Sequence, residues 1–230
     1  MILGVKNIKE SFKKKMIKLR IAIQMDPLNK LHLESDSSLI LAKEAQNRNH
    51  KIFIYEPKDL TLSGNQLFAN ASSLKIEKKN KYFFKKGKSR IINLSSIDIL
   101  LVRQDPPFNM HYITSTYLLD CIRKSTIVIN NPTAVRNCTE KILPFKFKEF
   151  MPPTLISQKI NDILNFLKVH KDIITKPLYG NGGEGINRSI DGNLIGVETN
   201  GKELITAQLA RSQRAKVSYM MVQTLSLIHI

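Results

Sequence analysis

The stretch from Asp172 to Glu198, DIITKPLYGNGGEGINRSIDGNLIGVE, constrains this chain more than any other. Four glycines fall within the six residues from Gly180 to Gly185, soon after an apolar run that ends in Lys176. Glycine costs backbone entropy, so such a cluster needs a reason: turns at positive φ, or bare N–H groups brought close to a ligand. The run from Asp172 to Lys176 reads as a strand that delivers one ammonium at its end. Ile186 to Ile190 and Leu194 to Val197, separated by Asp191-Gly192-Asn193, read as a β-hairpin closed by a D-G turn. The whole segment is expected to form a phosphate-holding lid.

The spacing Gly180-x-Gly182-x-x-Gly185 also fits the dinucleotide fingerprint. That site needs a helix starting at the third glycine, so that its N-terminus meets the pyrophosphate, and here a strand pattern follows instead. A Walker loop is excluded as well, because no Gly-Lys-Ser/Thr follows the glycines. What remains is a glycine loop between antiparallel strands with a lysine on the strand before it, the arrangement protein kinases and related folds place over ATP phosphates. Taken alone, the stretch also reads as a glycine-rich hairpin that binds nothing.

A chain of 230 residues can bury a sizeable core, as one large domain or two small ones. No apolar run is long enough to span a bilayer, and Met1 to Lys18 has no apolar region between its charges, which argues against a secretory signal. Cys121 and Cys138 give neither a disulfide framework nor zinc spacing, so a reducing, cytoplasmic setting is expected. The net charge of +17 invites a nucleic-acid reading. Only 9 of the 36 basic residues are Arg, however, and the excess is Lys in a chain also full of Ile and Asn, a bias A+T-rich codons produce by themselves. The densest run, Lys75 to Arg90, is expected to be a solvated insertion, with Tyr82-Phe83-Phe84 leaving a stacking surface as the other reading.

Met1 to Lys15 is a Lys-rich tail without clear periodicity, and Met16 is an alternative start. After it, Leu19, Ile21 and Ile23 alternate on one face of a strand that ends at Met25-Asp26-Pro27. Ser35-Asp36-Ser37-Ser38 supplies N-cap chemistry for a helix through Gln46, with Leu39, Ala42 and Ala45 at helical spacing. Lys51 to Tyr55 follows as a second strand, which makes a βαβ unit and a parallel sheet. Thr61 to Asn93 reads as irregular or hairpin structure, and Ile97 to Val102 as a central strand covered on both faces. Just past that strand stand Arg103 and Asp105, where open α/β sheets meet ligands. They could meet a small-molecule carboxylate or amine, or pair with each other to pin the Pro106-Pro107 turn, and the two readings stand level. A helix from His111 to Lys124 and a strand from Thr126 to Ile129 complete a second unit. Thr139 and Lys141 stand near a helix start, Pro144 and Pro152-Pro153 punctuate a linker, and Thr154 begins a short strand. Ser157 to His170 is amphipathic, its stripe of Ile160, Ile163, Leu164 and Leu167 expected in the core. Leu204 to Gln208 and Tyr219 to Gln223 add strand-like runs.

With Lys141 and the lid both in view, the sequence from about Met16 to Gln223 resembles the bacterial glutathione synthetases, a family of ATP-grasp carboxylate–amine ligases. The resemblance is carried by Met25-Asp26-Pro27, Asp36-Ser37-Ser38, Arg103-Gln104-Asp105-Pro106-Pro107-Phe108, Asn131-Pro132 with Arg136, Cys138-Thr139-Glu140-Lys141, and Thr175-Lys176-Pro177 through Gly182-Gly183-x-Gly185-Ile186. The run from Arg103 to Phe108 is its most specific part. Two departures are mild: Thr175 stands where the family has an apolar residue, and Asn181 where it often has Met.

The resemblance implies an α/β chain, with an N-terminal parallel-sheet, Rossmann-like domain at residues 16–137 and an incomplete α+β ATP-grasp lid subdomain at 138–224. It implies an ATP site at Lys141, Lys176, Gly180, Asn181, Gly182, Gly183, Glu184, Gly185 and Gln223, the last beside the adenine. The implied substrates are γ-glutamylcysteine and glycine, joined through an acyl phosphate, with Mg²⁺ as cofactor. A cytoplasmic homo-oligomer at full length, with no nucleic-acid or membrane partner, completes the expectation. The family's Mg²⁺-holding Asp, Glu and Asn residues have no counterpart in this sequence. The chain is therefore expected to be truncated and inactive as a ligase by itself, with Leu225 to Ile230 foreign to the family. The alternatives are another ATP-grasp ligase and a noncatalytic basic nucleic-acid binder.

Overall fold

The computed structural model describes residues 17–31, 36–78, 82–179, 182–183, 185–190, 193–196 and 220–224. The tail Met1 to Lys15, the loop residues Gly180, Asn181 and Glu184, the turn residues Asp191 and Gly192, the strand expected at Leu204 to Gln208 and the tail Leu225 to Ile230 lie outside the described residues. The chain forms two compact units, one of Met1–Asp105 with Met110–Arg136 and one of Pro106–Asn109 with Asn137–Ile230.

In the first unit, β1 (Arg20–Gln24), α1 (Ser37–Asn47) and β2 (Lys51–Tyr55) make the expected parallel βαβ crossover, with Ile21 opposite Ile52 and Ile23 opposite Ile54. The Asp36 carboxylate accepts the N–H groups of Ser38 (2.8 Å) and Leu39 (3.0 Å), which starts α1 and aims Leu39 and Ala42 inward. Three further elements extend the sheet on the far side of β2: β3 (Leu60–Ser63), β4 (Gln66–Lys78) and β5 (Tyr82–Asn93). On the near side of β1, β6 (Ile99–Val102) and then β7 (Ile127–Ile129) pair in parallel. The strand order is β3-β4-β2-β1-β6-β7, with β5 on β4. Helices α2 (Met110–Asp120) and α3 (Pro132–Asn137) complete the unit.

Two cores flank β1. Ile21 and Ile23 pack with Leu39, Ile52 and Ile54 on one face, while Ala22 packs with Phe53, Leu100 and Leu119 on the other. The alternation seen in sequence therefore marked only one of two buried faces, because Ala22 and Gln24 are as buried as the isoleucines.

The sheet is mixed rather than purely parallel, because β4 runs antiparallel to β2, with Phe53 opposite Ser73. Lys75 to Arg90 is no insertion standing off the fold but the arms of a long antiparallel hairpin, whose Leu74 and Ile76 enter the core and whose Phe84 packs against it. Phe84 is thus partly buried against the core. Lys75 and Lys85 stay in water, where they hold the Glu77 carboxyl below its ordinary range from 3.0 and 3.2 Å. Three boundaries shift by a few residues. The apolar run at Ile97 becomes a strand only at Ile99, after a 3₁₀ turn over Leu94–Ser96, while α2 stops at Asp120 and β7 starts at Ile127.

The second unit is an antiparallel sheet of β8 (Thr154–Ser157), β9 (Asp172–Pro177), β10 (Asn187–Ile190), β11 (Asn193–Gly196) and β12 (Met220–Thr224), in the order β11-β10-β9-β12-β8. Residues opposite one another share a face. Gln223 lies opposite Thr154 and Ile174, and Met221 opposite Ile156 and Lys176, so these six share one face. The other face carries α4 (Ile160–His170), which starts where Ser157 Oγ accepts the Lys159 N–H (2.9 Å) and donates to Asp162 (2.8 Å). The stripe expected in the core is only half buried, with Leu164 39% exposed, because a single helix on an open sheet is covered on one side.

The helix expected near Thr139 and Lys141 is replaced by a turn and then 3₁₀ helix over Leu143–Phe150, broken at Phe147. Thr139 contributes its carbonyl, which accepts from Ile142 (3.1 Å) and Leu143 (2.9 Å). Pro144 has no N–H to continue an α-helical ladder.

Candidate functional site

On the face of the second sheet opposite α4 lies a cleft of about 510 Å³ whose lining includes Glu140, Lys141, Lys176, Gly182, Gly183 and Gln223. Lys176 rises from the end of β9, and its Nζ donates to Gln223 Oε1 at 3.1 Å. Lys141 arrives from the turn before the 3₁₀ segment and donates to the Leu178 carbonyl at 3.3 Å. Two ammonium groups from separate parts of the chain therefore line one hollow.

The loop beside them needs its glycines. Gly182, Gly183 and Gly185 have φ of 62°, 81° and 69°, the left-handed region that a Cβ disfavours. At Gly185 space is short as well, since a Cβ there would stand 2.8 Å from Pro177 Cγ, whereas one at Gly182 would meet nothing within 4 Å. The loop closes through the Ile186 N–H to the Gly183 carbonyl (3.3 Å) and Asn187 Nδ2 to the Gly185 carbonyl (3.0 Å). It then enters β10, which pairs antiparallel with β9 and with β11. A strand stands where a dinucleotide site would need a helix. Among the described lining residues Glu140 is the one carboxylate, beside two ammonium groups that suit a polyanion. Among the described residues, no group of three His, Cys, Asp or Glu is placed to hold a metal ion.

Of the residues singled out from sequence, Lys141, Lys176, Gly182, Gly183 and Gln223 meet at this cleft, and Gly185 shapes the loop without lining it. Gly180, Asn181 and Glu184 lie outside the described residues. Arg103 and Asp105 belong to the first unit.

There the chain leaves β1 toward β2 on one side while β6 pairs on the other, a topological switch point of the kind where open α/β sheets meet ligands. Arg103 reaches Ser37 Oγ (2.5 Å) and Ser38 Oγ (3.2 Å) at the start of α1, and among the described residues it makes no ion pair with Asp105. The Asp105 N–H donates to Asp26 Oδ2 at 2.6 Å. The Tyr112 phenol stands in the same field: burial first, then the Asp105 and Asp26 carboxylates raise its pKa, against the pull of Arg103. Behind them Gln24, fully buried, accepts from Tyr55 OH (3.0 Å) and donates to Gln104 Oε1 (2.5 Å). Sequence reasoning missed Gln24, Tyr55 and Tyr112. The one signal available was a glutamine ending an otherwise apolar strand, at Ile21-Ala22-Ile23-Gln24.

Residues 19–136 match the family model for the prokaryotic glutathione synthetase N-terminal domain, and residues 140–225 match that for the prokaryotic glutathione synthetase ATP-grasp domain. The chain belongs to the prokaryotic glutathione synthetase family. Curated members include the glutathione synthetase of Rhodopseudomonas palustris, 42% identical over 170 residues that cover 74% of this chain and 54% of the relative. That of Buchnera aphidicola subsp. Schizaphis graminum is 40% identical over 171 residues, covering 74% and 53%. The chain thus spans about half the length of the curated relatives it matches. Among solved structures, a RimK domain ATP-grasp protein from Sphaerobacter thermophilus superposes with a TM-score of 0.54 at 14% identity, covering 91% of this chain and 65% of that one. D-cycloserine synthetase superposes with a TM-score of 0.53 at 12% identity, covering 89% and 58%. At such identities the likeness shows the fold, which is that of ATP-grasp proteins.

Proposed function

We propose that this glutathione synthetase family member binds ATP in the cleft of its second unit, as the nucleotide site of an ATP-dependent ligase joining γ-glutamylcysteine to glycine. The observation that carries the reading is that Lys141 and Lys176 line the same hollow as Gly182 and Gly183, both at positive φ. Both ammonium groups, with backbone of the glycine loop, neutralise the phosphates, and Gln223 lies beside the adenine. In the reaction the cysteinyl carboxylate takes the γ-phosphoryl group, releasing ADP, and the glycine amine then displaces phosphate from the acyl carbon. Such transfer asks the protein chiefly for alignment and charge neutralisation, which lysines and backbone amides supply.

Mg²⁺ is part of the family chemistry, but no cluster of ligands among the described residues fits it. Arg103 and Asp105, at the strand ends of the first unit, are proposed to meet the carboxylate and amine of the acyl substrate. Small-molecule substrates, a cytoplasmic setting and a homo-oligomeric full-length form belong to the same proposal.

Calorimetric titration of the chain with ATP, adenosine and inorganic tripolyphosphate tests the nucleotide reading. ATP binding tightest, with tripolyphosphate competing for the same site, is the expected result. ATP that gives no saturable heat, or that tripolyphosphate fails to displace, overturns it. Addition of γ-glutamylcysteine, D-alanine or glutamate to the ATP-bound chain then ranks the acyl substrates. Preference for D-alanine would point to a different ATP-grasp ligase.

A further inference from the structure

Three hydrogen bonds run in series across β8, β12 and β9. Thr154 Oγ1 donates to the Pro152 carbonyl (2.7 Å), Gln223 Nε2 donates to Thr154 Oγ1 (3.2 Å), and Lys176 Nζ donates to Gln223 Oε1 (3.1 Å). The direction is fixed from both ends. A backbone carbonyl can only accept, so the threonine proton is committed to Pro152 and its oxygen is left to accept from Gln223. An ammonium can only donate, so it requires the oxygen end of the same amide. Antiparallel pairing puts Thr154 directly opposite Gln223 and on the face that carries Lys176, which makes the series a product of strand register.

We infer that Thr154 is a positioning residue: it locks the Gln223 amide with its oxygen toward the cleft, and that oxygen holds the Lys176 ammonium where a phosphate would meet it. The inference rests on the nucleotide reading above. Without the threonine hydroxyl the amide is free to turn its NH₂ toward Lys176, donor facing donor, and the lysine loses its anchor.

The test compares Thr154→Val, close in shape but without the hydroxyl, with Thr154→Ser, which keeps it. ATP and AMP affinities are measured together with the Gln223 side-chain NH₂ resonances and their hydrogen exchange. The valine variant should lose about tenfold in ATP affinity, the size of one lost hydrogen bond to a charged network. AMP affinity should fall less than ATP affinity, because AMP shares the adenine beside Gln223 but lacks the β- and γ-phosphates that the anchored ammonium would meet. Serine should restore ATP binding, and Gln223 NH₂ exchange should rise only in the valine variant. Unchanged ATP affinity with unchanged NH₂ exchange in the valine variant overturns the inference, as does an equal fall in ATP and AMP affinity that serine does not rescue. A wild-type chain that binds no nucleotide defeats the nucleotide reading instead, and the NH₂ exchange alone then decides whether Thr154 locks the amide.

Discussion

Alanine at two glycines of the loop separates backbone strain from steric exclusion. Gly182 and Gly185 have similar φ, 62° and 69°, so Gly182→Ala and Gly185→Ala pay a similar left-handed cost, about 1–2 kcal/mol. Their surroundings differ. A Cβ at Gly182 meets nothing within 4 Å, while one at Gly185 stands 2.8 Å from Pro177 Cγ and 3.3 Å from Pro177 Cδ. Carbon atoms settle at about 3.5–4.0 Å, so the second substitution must push the loop off β9 and adds an overpacking cost of about 1–3 kcal/mol. The loop conformation should therefore lose a factor of about 5–30 in population in Gly182→Ala. In Gly185→Ala it should lose a further factor of about 5–150. Amide exchange at Ile186, whose N–H donates to the Gly183 carbonyl, reads that population directly, and ATP titration reads its consequence. Equal effects of the two substitutions, or a larger effect at Gly182, would refute the steric argument.

Tyr55→Phe leaves Gln24 Oε1 without its 3.0 Å donor in a fully buried position and should cost about 1–3 kcal/mol, seen as a lower urea midpoint at unchanged slope; a neutral result contradicts the network. Arg136 donates to Thr116 and Asp120 and lies 4.0 Å over the Tyr117 ring, so Arg136→Lys, which keeps the charge but loses the fork, should cost about 1.5–3 kcal/mol in the same assay. Arg188 holds the Asp172 carboxyl below its ordinary 3.8, chiefly by hydrogen bonding. A lowered pKa in the folded state gives stability that is present above 3.8 and lost as pH falls through the lowered value. The melting-temperature gap between wild type and Arg188→Gln should thus be constant above that pH and close below it, and a gap that persists in acid counts against the pair.

The strands on either side of the glycine loop were legible because their signals are local. Lys176 ends a short apolar run, the glycines mark the break after it, and Asp191-Gly192 separates two runs that do pair, with Ile190 opposite Asn193. The Lys75 to Arg90 hairpin was not, because lysines on a solvent face mask the alternation of Leu74, Ile76 and Phe84 toward the core. Lys141 was legible as a residue but not as a conformation, since Pro144 turns a helix start into 3₁₀ structure. The polar networks were out of reach altogether. Gln24 meets Gln104 across 80 positions and Gln223 meets Thr154 across 69, and nothing in either local window announces its partner.

Lys141 and Lys176 are proposed to act on one triphosphate, and a double-mutant cycle in ATP affinity tests that directly. Lys141→Met, Lys176→Met and the double variant should each lose at least about tenfold for ATP and little for AMP. The two losses should be non-additive, as for residues that share one ligand. Losses that simply multiply, and that fall equally on ATP and AMP, would mean that the two lysines do not hold the same phosphates.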